Sequence, residues 1–279
     1  MFPYTSAVHG KRLYWAGNAA KFGIANEIRE RAMATSETLV IVDLGAGLGG
    51  DWHKLSEDCS NLEIHLWEPH SPTANVLKNT RSSSRIFIHE NVEELENIAD
   101  IGTSLSVLEH VQEKREHLKL ARKVLKKTGH FYMNFDDGHF RPESQNIFRI
   151  SNYRLPLAEA WRTFLSGLSP RIIAVNKFQR RVVFEDFLKA VDESDLVIDT
   201  IRYNHLSGLK SLVGFINATD LKLEYMTSLL NFEAQIQDIF KKDGSTDVER
   251  LLWEIFPTRT AILAPNTVSG LSNLEQSFT

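Results

Sequence analysis

The sequence predicts an α/β protein built on a doubly wound, mostly parallel sheet, with helical insertions. Three observations predict it. Short apolar runs alternate with amphipathic stretches through the first half of the chain, the rhythm of strands joined by crossover helices. The first run, Leu39-Val40-Ile41-Val42-Asp43-Leu44, is almost continuously apolar, as a parallel strand covered on both faces is. A glycine-rich segment, Gly45-Ala46-Gly47-Leu48-Gly49-Gly50, follows at once, where sheets of this kind bind ligands.

Each element has its own justification. In residues 19–35, Phe22, Ile24, Ile28 and Ala32 fall at roughly helical spacing, which predicts an amphipathic helix leading into the core. Strands are expected at 39–44, 62–67, 86–88, 100–105 and 129–135, with helices at 72–78 and 113–127. In the latter, Leu118, Ala121, Val124 and Leu125 share a face. After Asp136 the rhythm changes: residues 138–180 show no strand pattern and carry scattered aromatics and arginines. A helix at 184–191, a strand at 196–203, helices across 221–256 broken at Lys241-Lys242-Asp243-Gly244-Ser245, and a strand at 258–263 complete the reading. The expected organisation is one domain over 1–279. It has an N-terminal helical lead-in (1–38), a variable substrate or lid segment (138–180) and a helical insertion (221–256).

Composition excludes several classes. The chain has 279 residues, 42% of them hydrophobic and 24% charged, ordinary values that rule out collagen-like, disordered and disulfide-scaffold proteins. The single Cys59 can form neither an intrachain disulfide nor a thiolate metal cluster, and no metal site is expected. A net charge of −4 argues against a dedicated nucleic-acid binder, which carries a basic excess. No run of about 18 apolar residues and no basic start followed by an apolar stretch is present. The expectation is a cytoplasmic protein with no membrane segment.

The glycine segment permits positive φ and a close approach of ligand to backbone. Glycine turns also serve only to pack a helix on a strand, so the segment needs company. Glu68 supplies it, ending the second strand about 20 residues on, where an acid accepts hydrogen bonds from ribose hydroxyls. Gly45, Gly47 and Gly50 formally fit the Gly-x-Gly-x-x-Gly pattern of dinucleotide sites. Asp43 just before the turn suits a cationic ligand better than a pyrophosphate, and Asp51 stands where an anion would lie.

Val42-Asp43-Leu44-Gly45-Ala46-Gly47 resembles motif I of the class I S-adenosylmethionine-dependent methyltransferases. Leu66-Trp67-Glu68-Pro69 is similar to their ribose-binding motif. The stretch from Ala99 to Val111 resembles the passage from their fourth strand into the next helix, and Val124 to Phe131 the turn into their fifth. The resemblance covers residues 37–137 and implies a Rossmann-like sheet of seven strands with the last antiparallel. It implies S-adenosyl-L-methionine as cofactor. By the same resemblance Asp43, Gly45, Ala46 and Gly47 border its methionine part, Glu68 holds the ribose, and Asn91 stands where the family often has an acid near the adenine. Ser104 and Leu105 line the sulfonium end. The family turn Pro-Gly is Thr128-Gly129 here.

Methyl transfer from a sulfonium is an in-line displacement, and an oxygen or nitrogen nucleophile must also lose a proton. Candidate bases belong at the ends of strands four and five. Asn134-Phe135-Asp136-Asp137-Gly138-His139 fits, with His139 as base and Asp136 or Asp137 orienting it. The same residues also read as a polar turn or a divalent-cation site. His110 is a second candidate, or a packing residue at a helix start. Trp52 and Trp67 read as packing residues, and the Leu/Phe stripe of 221–240 as core or a homodimer face. The acceptor expected is a small molecule with an oxygen nucleophile. An NAD-dependent oxidoreductase, without a Tyr-x-x-x-Lys pair to support it, and a non-catalytic cofactor-binding protein are the other readings.

Overall fold

A computed structural model describes residues 18–49, 52–79, 83–136, 181–204, 222–242 and 245–266. Seven strands form one sheet: β1 (Leu39–Leu44), β2 (Leu62–Trp67), β3 (Ile86–His89), β4 (Ala99–Leu105), β5 (Leu125–Asp136), β6 (Leu196–Asn204) and β7 (Thr258–Pro265). Their order is β3-β2-β1-β4-β5-β7-β6. The first five are parallel, and β7 runs antiparallel between β5 and β6. The order reverses between β1 and β4, so the carboxyl ends of those strands border the crevice where such sheets take ligands.

Two cores follow from the alternation of strand side chains. On one face Val42, Leu44, Phe131, Met133 and Phe135 pack under α4 (Lys114–Val124), α5 (Phe184–Asp192) and α7 (Thr246–Ile255). On the other, Ile41, Ile64, Ile101 and Tyr132 meet α1 (Asn18–Met33), α2 (Trp52–Asp58) and α3 (Ser71–Lys78). Trp253 of α7 centres the first core. It is fully buried, its ring lies 5.1–5.5 Å from Phe184, Phe187 and Phe135, and its indole N–H donates to Val182 O at 3.1 Å.

The helix expected over 113–127 stops at Val124, because Leu125 already pairs with Ala99 as the first residue of β5. The charged pair Lys126-Lys127 extends the helical pattern in sequence, but Lys126 instead reaches Asp100 at 2.7 Å across the β4–β5 pair. The segment 138–180 and residues 1–17 before α1 lie outside the described residues.

Helix α6 (Lys222–Lys241) covers the exposed edge of the sheet. The side-chain amide of Gln237 accepts from Tyr203 N at 2.8 Å and donates to Tyr203 O, and Lys241 Nζ donates to Ile201 O at 2.7 Å. The Gln237 amide therefore stands in for the neighbouring strand that β6 lacks, which removes part of an open edge. Gln237→Leu is expected to leave both Tyr203 backbone groups unsatisfied and to lower stability by about 2–4 kcal/mol, read as a drop in the urea midpoint. A midpoint within error of wild type would show that water replaces the amide. Phe232, Ile239 and Phe240 on α6 remain exposed. No helix among the described residues is long and apolar enough to cross a membrane.

Candidate active site

The turn after β1 is held from β2. Gly45 N and Ala46 N both donate to Trp67 O, at 2.8 and 3.1 Å. Gly45 has φ +82°, and a Cβ there would sit 2.7 Å from a methyl of Val107, in the segment after β4. The glycine thus lets the β4 side close on the turn. Gly45→Ala is expected to cost about 1–3 kcal/mol through the strained φ and this overlap, seen as a lower melting temperature. An unchanged melting temperature would mean that Val107 simply moves aside. Gly47, at φ +57°, is different, since no described residue lies within 4 Å of where its Cβ would be. The backbone is open there, as a cradle for a ligand requires.

Glu68 fastens the open side of the turn. Its Oε2 accepts from Gly47 N and its Oε1 from His70 N, both at 2.8 Å. His70 precedes α3, so one carboxylate joins the glycine turn to a helix start. Each oxygen keeps a lone pair beyond these bonds, which leaves it able to receive a vicinal diol.

Asp43 is part of the frame. It is 3% exposed, with Oδ2 accepting from Trp52 Nε1 and Oδ1 from Thr103 Oγ1, both at 2.7 Å. These bonds tie β1 to α2 and β4. Burial pushes its carboxyl up to about 6, against the pull of the two donors and of Lys21. Trp52 is the buried packing residue its sequence context indicates, with a hydrogen-bonding task added.

Beyond β4 the chain turns sharply at Ser106, φ +61°, an uncommon conformation for a side chain of this kind. Ser106 N donates to Asn134 O at 2.8 Å, locking the turn to β5. The short 3₁₀ turn Leu108–His110 follows. Here Glu109 is buried, 2% exposed, and its Oε2 has no hydrogen-bond partner among the described residues. Burial foremost, with the neighbouring Asp136 adding to it, pushes its carboxyl up to about 8. Its own N–H, Lys21 and the Asp136 N–H pull the other way. Lys21 of α1 faces Glu109, Asp136 and Asp43, and its pKa is lowered because desolvation outweighs all three acids.

The sequence candidates divide accordingly. Asp43, Gly45, Ala46, Gly47 and Glu68 come together around the β1–β2 end, and Asp136 joins the β4–β5 end. Ser104 is a correction: β4 alternation sends its side chain into the protein, where the hydroxyl meets His117 Nε2 of α4 at 2.9 Å. Burial there pushes His117 down to about 4. Thr103, the neighbour in sequence, faces Asp43 instead. Leu105 packs partly buried against the α1–α2 core. Asn91, exposed beyond β3, donates to Glu94 Oε1 at 3.3 Å. His110 is partly exposed at the end of the 3₁₀ turn. Asp137 and His139 lie outside the described residues. Among the described residues no three His, Cys, Asp or Glu side chains converge to hold a metal ion.

Sequence reasoning missed Lys21 and Glu109. Lys21 lies three, four and seven residues before Ile24, Ala25 and Ile28, which are all buried. It therefore occupies the apolar stripe of α1, where a lysine needs a reason. Glu109 stands in the apolar stretch Val107-Leu108-Glu109-His110-Val111, an equally visible signal.

A cavity of about 330 Å³ lies between α1, α6, β6 and β7. Asn26, Asn204, Thr227, Asn231, Gln237 and Thr260 supply uncharged polar groups to its wall. The charged wall residues Glu27 and Arg202 are paired with each other. Asn204 pairs with Thr258, and Thr258 with Asp136, so the cavity lies at the same carboxyl-terminal edge of the sheet as Asp136.

Comparison with known proteins agrees with this architecture. The family model described as Methyltransferase domain matches residues 42–133. No curated protein matches the chain in sequence. Among solved structures, a putative S-adenosylmethionine-dependent methyltransferase from Listeria monocytogenes is similar at 11% identity, over 89% of this chain and 98% of that one, with a TM-score of 0.50. Mitomycin 7-O-methyltransferase is similar at 12% identity over 86% of this chain, and this chain covers 53% of it, with a TM-score of 0.46. Phosphoethanolamine N-methyltransferase 2 of Haemonchus contortus is similar at 12% identity over 87% of this chain and 52% of its own, with a TM-score of 0.46. The chain thus spans about half the length of the last two, and at such identities the likeness is one of fold. The family match runs from Val42 in β1 to Met133 in β5 and takes in the glycine turn, Glu68 and Glu109; over those residues the chain matches the methyltransferase-domain family.

Proposed function

We propose that this protein moves a methyl group from S-adenosylmethionine to a hydroxyl oxygen of a small, uncharged molecule. The observation that carries the cofactor assignment is Glu68, which braces an open glycine turn and keeps lone pairs for a ribose diol. When bound, the cofactor supplies an activated methyl on a sulfonium. Gly45, Ala46 and Gly47 offer backbone against its methionine part, and Glu68 takes the ribose. Asp43 positions the turn from beneath. Leu105 flanks the sulfonium end, and Asn91 stands at the adenine end.

The acceptor class follows from the neutral cavity. Its uncharged amides and hydroxyls suit a ligand with hydroxyl groups, and the pairing of Glu27 with Arg202 leaves the wall no net charge to attract an ion. Asp136, at the end of β5, is the described member of the predicted base cluster and takes the hydroxyl proton as the oxygen bonds to carbon. Proximity and orientation do most of the work in such a displacement.

Thermal denaturation with S-adenosylhomocysteine and, separately, with NAD tests the cofactor assignment. At 100 times its Kd a ligand stabilises by about 2.7 kcal/mol. The expected result is a clear rise in melting temperature with S-adenosylhomocysteine alone. A rise with NAD alone returns the oxidoreductase reading, and no rise with either overturns the proposal.

A further inference from the structure

The carboxyl ends of β1, β4 and β5 gather three carboxylates, Asp43, Glu109 and Asp136, around the single cation Lys21 among the described residues. Asp43 spends both oxygens on neutral donors. Glu109 does not, since its Oε2 is buried with no hydrogen-bond partner among the described residues. A buried acceptor left unmade is costly, and a ligand group that reaches it removes that cost.

The position of this atom says which ligand. Glu68 holds the β2 side of the glycine turn, and Val107 packs on its β4 side at Gly45. Glu109 follows Val107 by two residues and reaches the N–H of Asp136 on β5. A ligand with its ribose on Glu68 therefore extends across the turn toward Glu109. We propose that the Glu109 carboxylate, with Asp136 beside it, faces the sulfonium charge of the methyl donor and lets the protein tell the cationic donor from its neutral product.

The inference rests on the proposed function and adds to it. Methyl donor and S-adenosylhomocysteine differ by one methyl group and one positive charge. Shape separates them weakly, whereas a buried carboxylate separates them by charge, and the attraction is strong where water is excluded. As the cation arrives, the Glu109 carboxyl gives its proton to solvent, and no bond other than O–H breaks. Four groups face Glu109: the Asp136 carboxylate from β5, which opposes ionisation, and Lys21 from α1, its own backbone N–H and the backbone N–H of Asp136, which favour it. Asp43 of β1 faces Lys21. Lys21 repels the same charge that Glu109 attracts, so it limits how tightly the donor is held.

Isothermal titration of the wild-type protein with S-adenosylmethionine and with S-adenosylhomocysteine, at pH 6.0 and 7.5, tests this without knowledge of the acceptor. Binding of the donor is expected to strengthen with pH, by up to about thirty-fold for one released proton. Binding of the product is expected to stay nearly constant, so that the ratio of the two changes. In Glu109→Gln the ratio should lose its pH dependence and fall by about tenfold at pH 7.5, while product binding shows that the variant is folded. Lys21→Met should move the ratio the other way. If the affinities of donor and product move together with pH in wild type, or if the ratio survives in Glu109→Gln, the inference fails while the methyltransferase reading stands. If neither ligand binds, both fail.

Discussion

Glu68→Ala is expected to abolish the thermal stabilisation by S-adenosylhomocysteine. The side chain has two tasks, and alanine removes both. Each ribose hydroxyl bonded to the carboxylate is worth about 1.5–3 kcal/mol, so losing two lowers affinity by a hundredfold or more. The second task is to hold Gly47 N and His70 N at 2.8 Å, and its loss lets the turn drift from the start of α3. That part is expected to cost the ligand-free protein about 1 kcal/mol. The two effects separate experimentally. The ligand-free melting temperature reports the bracing, and the Kd for S-adenosylhomocysteine reports the diol. Glu68→Gln keeps the shape but turns an N–H₂ toward a backbone donor, and is expected to fall between. A Kd for Glu68→Ala within threefold of wild type would place the ribose elsewhere.

Glu68 was legible because two signals coincide: a glycine turn after one strand and an acid at the end of the next. The sheet was legible for a similar reason. β1 and β2 fall at the bounds their apolar runs predict, and β6 and β7 extend theirs by only one or two residues. Where both faces of a strand are buried, the apolar run is the strand. The end of α4 was misjudged because Lys126-Lys127 suit a helix as well as a partly exposed strand, and pairing with Ala99 decides between them. That pairing is a tertiary fact.

The site shows the same division. Backbone roles are written in glycines and can be read. Side-chain direction at the end of β4 cannot, because it depends on register. Thr103 lies opposite Asp43 in the β1–β4 pairing, which gives Thr103 to the site and sends Ser104 to His117 under α4. Lys21 and Glu109 carried a visible signal, a charge within an apolar pattern, yet only the fold reveals that two such anomalies 88 positions apart compensate one another. Gln237 gave no signal: a glutamine on a helix is ordinary until the helix lies along a sheet edge.

The two raised carboxyls make stability depend on pH in a direction opposite to that of common surface ion pairs. Glu109 rises from 4.5 in the unfolded chain to about 8, and Asp43 from 3.8 to about 6. Between those limits the folded protein binds protons that the unfolded chain has released, so raising the pH costs the folded state. The contribution from Glu109 is complete below pH 4.5 and gone above about pH 8. Its size is on the order of 4 kcal/mol. Asp43 adds a smaller loss that is over by about pH 6. Exposed acids such as Glu94, Glu116 and Glu185 have lowered values, but solvent screens them and their window lies below pH 4.5. Urea unfolding of the ligand-free protein at pH 5.5, 7.0 and 8.5 is therefore expected to show a net fall, with Glu109 and Asp43 outweighing the buried His117, whose value lowered from 6.5 to about 4 works in the opposite direction below about pH 6.5. Glu109→Gln should be more stable than wild type at pH 8.5, because the amide carries no charge to desolvate, and its stability should vary little above pH 6. A wild-type stability that rises from pH 5.5 to 8.5, or a variant with an unchanged slope, would mean that Glu109 keeps its charge in the folded protein.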